Sequence, residues 1–250
     1  LHIATLYNHF EIVKILIKSG ADLNLANDEG LTPLHIAAKE DLLHIISLFI
    51  EHKARTDLGD KRGLTPLHCA AEFGNNGAIK LLLAVCIPDI VDTHNWKTTP
   101  LHLAAMHGHV ETAKILLDAG SDVNKKEIKG YTPIHFAAAM CRTEMVKLLI
   151  KNKALIDLAD SYFRTPLQAA VRWGFFEIVQ ILLSNGANIN ARDIEGWTPI
   201  LLAAAYNRYS VFEILLEFGA DLQMRLFDGT GIKELTDNKA ILNLAKLVIN

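Results

Sequence analysis

The sequence predicts an all-α solenoid of stacked helix-turn-helix units with β-hairpin fingers, and three observations carry that expectation. Thr-Pro recurs at Thr32, Thr65, Thr99, Thr132, Thr165 and Thr198, at spacings of 33, 34, 33, 33 and 33 residues. The residues after each pair recur as well: Thr-Pro-Leu-His-x-Ala-Ala from Thr32, Thr65 and Thr99, with Ile134 for Leu in the block from Thr132, weakening to Thr165-Pro166-Leu167-Gln168 and Thr198-Pro199-Ile200-Leu201. An apolar run closing on glycine comes next in the unit, as at Ile12–Gly20, Ala113–Gly120, Ile178–Gly186 and Ile214–Gly219. A fixed period of this size marks an array whose units bury their apolar faces only by stacking.

Each recurring residue has a local reason. The Thr hydroxyl accepts from an orphan N–H in the first turn of a helix, so Thr is a good N-cap. Pro suits the first helical position, where its missing N–H costs nothing. The small Ala-Ala pairs let a short first helix approach its neighbours closely, and the bulkier Leu and Ile of the second helix fill the gaps between units. Gly20, Gly120, Gly186 and Gly219 supply the left-handed backbone that ends the second helix. Turns rich in Asn, Asp and Gly then project as fingers.

On these blocks, with Gly20-Ala21-Asp22-Leu23-Asn24, Asp122-Val123-Asn124 and Asn188-Ile189-Asn190, the chain resembles the ankyrin-repeat family over essentially its whole length. The registers give one array over 1–250: a partial repeat 1–30, full repeats 31–63, 64–97, 98–130, 131–163, 164–196 and 197–229, and a shortened, capping-like repeat 230–250. In the last, Gly231-Ile232 replaces Thr-Pro and the second helix is expected over Ala240–Ile249. Leu1-His2 aligns with Leu34-His35, so the segment is expected to be cut from a longer protein. Its first repeat is expected to expose Leu1, Ile3, Leu6, Ile12 and Leu16 and to fray or self-associate there.

Composition narrows the classes. Apolar residues are 50% and charged residues 21% of the chain, which excludes intrinsic disorder. The net charge of −3 and pI near 6.4 lack the basic excess of a nucleic-acid binder. Mean hydropathy of +0.20 is high, yet no apolar run approaches the ~18 residues of a spanning helix, so no membrane insertion is expected. Cys69, Cys86 and Cys141 form neither a disulfide framework nor a CxxC zinc site, and an intracellular, cytoplasmic location is expected.

Departures from the pattern are informative. Lys53 and Lys153 stand at the helix-stop glycine position, and Lys97 and Phe163 at the finger glycine position of Gly30, Gly63, Gly130, Gly196 and Gly229. The 64–97 repeat has one extra residue, expected near Cys86-Ile87-Pro88, and its finger is expected to be distorted. Phe163, bulky at a turn tip, is expected either to make a contact or to pack on an adjacent finger.

No catalytic signature is present: no GxSxG, HExxH, Walker loop or strand-linked GxGxxG. His2, His35, His68, His102 and His135 recur once per repeat, which assigns them to hydrogen bonds within and between repeats rather than to a metal. His107 and His109 lack a third ligand. Cys141, at the inter-helix glycine position, has Arg142 beside it but no positioned base. Lys125, Lys126 and Lys129 make one basic finger and Lys61 with Arg62 another, interrupted at equivalent tips by Asp28, Glu29 and Glu195. No cofactor, metal or catalysis is expected.

Binding residues are sought where the chain varies at fixed register. One row reads Tyr7, Glu40, Phe73, His107, Met140, Trp173, Tyr206, and a second reads Leu31, Leu64, Thr98, Tyr131, Arg164, Trp197. Solvation alone would favour Lys, Glu or Asn there, whereas aromatics, Met and Arg are enriched at interface cores. The resemblance implies that both rows line a concave groove that binds a peptide or a folded domain. The candidate residues are Phe73, Trp96, His107, Tyr131, Met140, Tyr162, Arg164, Trp173, Trp197 and Tyr206, densest around Met140, Trp173 and Tyr206. The alternative is a repeat region of a larger channel, signalling enzyme or secreted effector whose activity lies elsewhere.

Overall fold

The structure, a computed structural model, describes residues 1–93 and 96–249, with side chains through 246. Among these residues every regular element is a helix. The chain divides into two compact units, Leu1–Ile128 and Lys129–Asn250. The first holds α1 (His2–Leu6), α2 (Phe10–Lys18), α3 (Pro33–Lys39), α4 (Leu43–Glu51), α5 (Pro66–Phe73), α6 (Asn76–Leu83), α7 (Pro100–His107) and α8 (Val110–Asp118). The second holds α9 (Pro133–Ala139), α10 (Thr143–Lys151), α11 (Pro166–Trp173), α12 (Phe176–Ser184), α13 (Pro199–Ala205), α14 (Tyr209–Glu217), α15 (Ile232–Leu235) and α16 (Lys239–Ile249).

Within each unit the helices pair and stack as a solenoid. First helices pack on first helices, α1 on α3 on α5 on α7 and α9 on α11 on α13 on α15; second helices do the same, α2 through α8 and α10 through α16. The alanine pairs are wholly buried at these contacts, as at Ala37-Ala38, Ala70-Ala71 and Ala203-Ala204. Ile45, Ile46, Phe49, Leu82 and Leu116 fill the first unit between second helices, and Met145, Leu149, Leu182 and Phe212 the second.

The motif histidines tie one repeat to the next. The Thr32 N–H donates to His35 Nδ1 at 3.1 Å, and Thr32 Oγ1 lies 2.8 Å from the same nitrogen. An amide is an obligatory donor, so Nδ1 accepts and the imidazole proton sits on Nε2. That proton goes to the carbonyl of Leu64 in the next repeat, at 2.9 Å. His68 repeats the arrangement onto Thr98 O and His135 onto Arg164 O, while His102 donates to Lys125 O in the finger of its own repeat. Burial pushes the His68 pKa down to about 4, against the raising effect of the Thr98 carbonyl, and lowers that of His35 for the same reason.

Helix ends obey the same local chemistry. Gly20 has φ +84°, its N–H reaches Ile17 O, and the Ala21 N–H reaches Leu16 O, which satisfies two carbonyls at the end of α2. Lys53 and Lys153 adopt the same backbone at φ 61° and 67°, and Lys97 and Phe163 take the finger-glycine conformation at φ 59° and 60°. Cys141, exposed at φ 56°, replaces the inter-helix glycine.

Fingers are hairpin turns, with no strand ladder among the described residues. Adjacent fingers share single backbone bonds, such as Lys61 N–H to Glu29 O, Ser161 N–H to Lys129 O and Ile194 N–H to Tyr162 O. The extra length of the 64–97 repeat sits in its finger rather than near Cys86: the Asp92 N–H closes onto Thr98 O, whereas Asp60 and Asp160 close onto Leu64 and Arg164. His94 and Asn95 of that finger lie outside the described residues. In the first repeat Ile3, Leu6 and Ile12 are exposed, with Leu1 and Leu16 half-buried.

Candidate functional site

The ends of the first helices in the second unit set a cleft of about 580 Å³. Met140 caps α9, Trp173 is the last residue of α11 and Tyr206 caps α13, so one register position recurs at three successive helix ends. All three face solvent, with exposures of 47%, 57% and 39%. Tyr131 and Phe136 form the adjoining wall; the Tyr131 ring meets the His135 ring edge-on at 5.7 Å and the Phe136 ring at a tilt, also at 5.7 Å. Trp173 holds its place because Gly174 takes φ +80° directly after it and stops the helix.

Arg164 organises this wall. Its Nε donates to Asp160 Oδ2 at 2.8 Å, and the Asp160 side chain is fully buried. Asp160 Oδ1 meanwhile accepts the N–H groups of Tyr162 and Arg164, which shapes the finger. The Arg164 guanidinium lies 4.7 Å from the Tyr162 ring centroid and 5.5 Å from that of Tyr131, and it donates to the Tyr131 hydroxyl. Burial works to lower the Arg164 pKa, but the hydrogen bond and charge of Asp160, with smaller contributions from Tyr131 and Tyr162, together outweigh it and the pKa rises. Arg164 therefore positions Tyr131 and Tyr162, with its own charge compensated.

The predicted residues fall into separate groups. Tyr131, Met140, Arg164, Trp173 and Tyr206 line the one cleft, with Tyr162 attached through Arg164. Trp197 does not line it: its indole donates to Glu195 at 3.1 Å on the finger, and its carbonyl accepts from Gln168. Phe73, Trp96 and His107 belong to the first unit. Phe73 is half-exposed at the end of α5, with the Lys39 ammonium 5.1 Å from its ring centroid. His107 is exposed and stacks on His109, whose Nε2 donates to Glu72 O. Trp96 is exposed on its finger. Leu64, in the second row, is buried against Cys69 and Leu103 and is core.

Of the basic fingers, Arg62 is bound by Glu72 through two bonds of 2.8 and 2.9 Å and by Asp60. Phe163 is 60% exposed, so it does not pack away on an adjacent finger. The cleft is also lined by residues of neither variable row, which the sequence did not single out, among them Phe136, Arg172, Asp193 and Arg208. Phe136 occupies the variable position inside the Thr-Pro motif; the Arg172 row also holds Lys39, Glu72, Met106 and Ala139, and the Arg208 row Leu42, Asn75, His109, Arg142 and Phe175. Among the described residues no three His, Cys, Asp or Glu side chains cluster as metal ligands, and no helix is long and apolar enough to cross a membrane.

Comparison with known proteins agrees with this architecture. The family model for ankyrin repeats (3 copies) matches residues 1–90, 76–160, 122–193 and 154–225. The ankyrin repeat domain of Bcl-3 superimposes with a TM-score of 0.76 at 28% identity, covering 88% of this chain and 100% of that one. The human ASB11 ankyrin repeat domain gives 0.77 at 27% identity, covering 88% and 98%. Among curated proteins, E3 ubiquitin-protein ligase XBAT32 of Arabidopsis thaliana is 33% identical over 159 residues, 53% of this chain and 31% of that protein. Probable E3 ubiquitin-protein ligase XBOS32 of Oryza sativa subsp. japonica is 29% identical over 162 residues, 53% and 33% of the respective lengths. The chain thus spans about a third of the length of the curated relatives it matches. With the Thr-Pro period, the stacked helix pairs and a matching family model over most of its length, this chain belongs to the ankyrin-repeat family.

Proposed function

We propose that the chain is a non-enzymatic protein-binding scaffold and that the cleft of the second unit, between Met140, Trp173 and Tyr206, receives a segment of the partner. The observation that carries this is the exposure of three large apolar side chains at one register position on successive helices. The fold does not need them there, since Glu40 and His107 occupy the same position elsewhere. Exposed apolar patches of this kind mark binding sites, and aromatic residues dominate interface energetics. Phe73, Trp96, His107, Tyr162 and Trp197 contribute to the partner surface outside the cleft.

The test is a paired capture with the wild-type chain and a Trp173→Ala, Tyr206→Ala variant shown to be folded by circular dichroism. A partner held by wild type and lost by the variant supports the reading. Loss of Trp173 alone weakens that partner by at least about 30-fold, the value of ~2 kcal/mol at a hot spot. Equal capture moves the site elsewhere.

A second reading is favoured by the two curated relatives, both named as E3 ubiquitin-protein ligases and both much longer than the matched region. In it the array is the recognition region of a longer ligase. Self-ubiquitination by the product of the complete transcript, with purified E1, E2 and ubiquitin, supports this; no conjugate under those conditions sinks it.

A further inference from the structure

The cleft of the second unit is not purely apolar. Arg172 and Arg208 line it as well. Unlike Arg164, neither has an ion-pair partner among the described residues. The Arg172 guanidinium lies 5.0 Å from the Tyr206 ring centroid, so charge and aromatic surface are presented together.

Arg208 is fixed by the fold. It occupies the N-cap of α14, and its Nε donates to Arg172 O at 3.1 Å. In two repeats of the first unit the same place is held by Asn75, which donates to Ala38 O and Lys39 O, and by His109, which donates to Glu72 O, while Leu42 holds it in another. At Asn75, His109 and Arg208 the side chain pins one repeat to the end of the first helix before it. Asn75 ends in a neutral amide, whereas Arg208 continues into a guanidinium with donors to spare. A Cβ at Gly174 would lie 2.8 Å from Arg208 Cδ, so the glycine after α11 leaves the space in which the arginine lies. Because the pin already orders Arg208, little side-chain freedom remains to be lost on binding.

The carboxylate in the cleft, Asp193, is committed through Oδ1 to the N–H groups of Glu195 and Trp197. It neutralises neither arginine within ion-pair distance. The chain as a whole carries −3, so the two cations are a local feature rather than part of a basic surface. One carboxylate among them disfavours a polyanion such as a nucleic-acid strand, while two cations beside apolar pockets suit single carboxylates set next to an apolar anchor.

We infer that the cleft takes an acidic peptide segment, in which an aromatic or aliphatic side chain enters between Met140, Trp173 and Tyr206 and a neighbouring Asp or Glu carboxylate accepts from Arg172 and Arg208. The inference rests on the proposal that this cleft is the binding surface.

The test selects binders to the full chain from a phage-displayed library of random peptides of about twelve residues, long enough to span such a groove. Selected peptides are synthesised with a fluorophore and their affinities measured by anisotropy. Arg208→His keeps a pinning donor, as His109 does, and removes the permanent cation; Arg172→Gln is exposed and leaves the fold intact. Selected peptides are expected to carry Asp or Glu beside an apolar residue. Their affinity falls at least about tenfold in the Arg172→Gln, Arg208→His variant and declines between about 50 and 500 mM NaCl. Replacing the peptide's Asp or Glu by Asn or Gln loses the same factor, and the two losses do not add.

Peptides without acidic residues, or acidic ones that tolerate the arginine variant yet lose binding in Trp173→Ala, overturn the acidic-segment inference while the cleft reading stands. Binders indifferent to Trp173→Ala with Tyr206→Ala overturn both. A library without binders, or preferential binding of single-stranded oligouridine at these arginines, also overturns the inference.

Discussion

Left-handed backbone is cheap for glycine and costly for a residue with a Cβ, and this chain places lysine there at Lys53 and Lys153. Their counterparts Gly20, Gly120, Gly186 and Gly219 have the same sign of φ with nothing within 4 Å of a notional Cβ, so the cost is torsional rather than steric. Lys53→Gly and Lys153→Gly are each expected to stabilise the chain by ~1 kcal/mol, seen as a higher urea midpoint; an unchanged or lower midpoint would show that the lysines are not strained. A second residue-scale test concerns the threonine caps. Thr198 Oγ1 is buried with no partner, because Leu201 stands where other repeats have His or Gln. Thr198→Val removes an unsatisfied hydroxyl at nearly constant volume and should raise stability by ~1 kcal/mol. Thr65→Val removes a hydroxyl 2.8 Å from His68 Nδ1 and should lower stability by a similar ~1 kcal/mol.

At the scale of the element, the first helices α3 and α5 carry buried histidines whose protonation the fold opposes. His68 is held neutral, its pKa pushed down to about 4 by burial, and that of His35 is lowered too. The unfolded chain takes up these protons near the ordinary pKa of ~6.5, before the folded chain does. Stability is therefore complete above about pH 6.5 and declines as pH falls toward 4, by up to ~1.4 kcal/mol per pH unit for each depressed histidine. Urea midpoints at a series of pH values should show this slope, and His68→Gln, which copies Gln168, should reduce it; a flat profile in the wild type would contradict the buried neutral imidazole.

The first helices were legible from the sequence because cap, Pro and Ala-Ala are fixed by local chemistry, and each begins at its Pro in the structure. Second helices begin earlier than their apolar runs: α8 starts at Val110 and α14 at Tyr209, since a polar first turn such as Glu111-Thr112 carries no apolar signal. The fingers close within so few residues that no ladder forms. In the cleft, Met140, Trp173 and Tyr206 could be read as variation at one register. Arg208 could not, because its row is mixed, a pin at Asn75 and His109 but apolar at Leu42 and Phe175, and only packing reveals where the guanidinium lies.

For the molecule as a whole, each helix layer packs on its neighbours within a unit, so stability is a sum of local terms. Phe49 and Phe212 are both fully buried, one in each unit. Phe212→Ala is expected to cost roughly 3–5 kcal/mol in the repeats that pack on α14. Hydrogen exchange followed by mass spectrometry should show faster exchange in α12–α16 with little change in α3–α6. A uniform loss of protection over the whole chain would point instead to a single cooperative block. The cleft lies wholly within the second unit, so Phe49→Ala should leave the affinity of selected peptides, measured by anisotropy, nearly unchanged.

The motif histidines offer one consequence beyond stability. Four of these Nε2 protons donate across a single junction between repeats, His2 to Leu31, His35 to Leu64, His68 to Thr98 and His135 to Arg164. Every such proton is a built-in gauge of one seam, visible in an imidazole nitrogen spectrum only while that seam is shut. The order in which the signals vanish on warming would chart, without any label added to the chain, the sequence in which the repeats unzip.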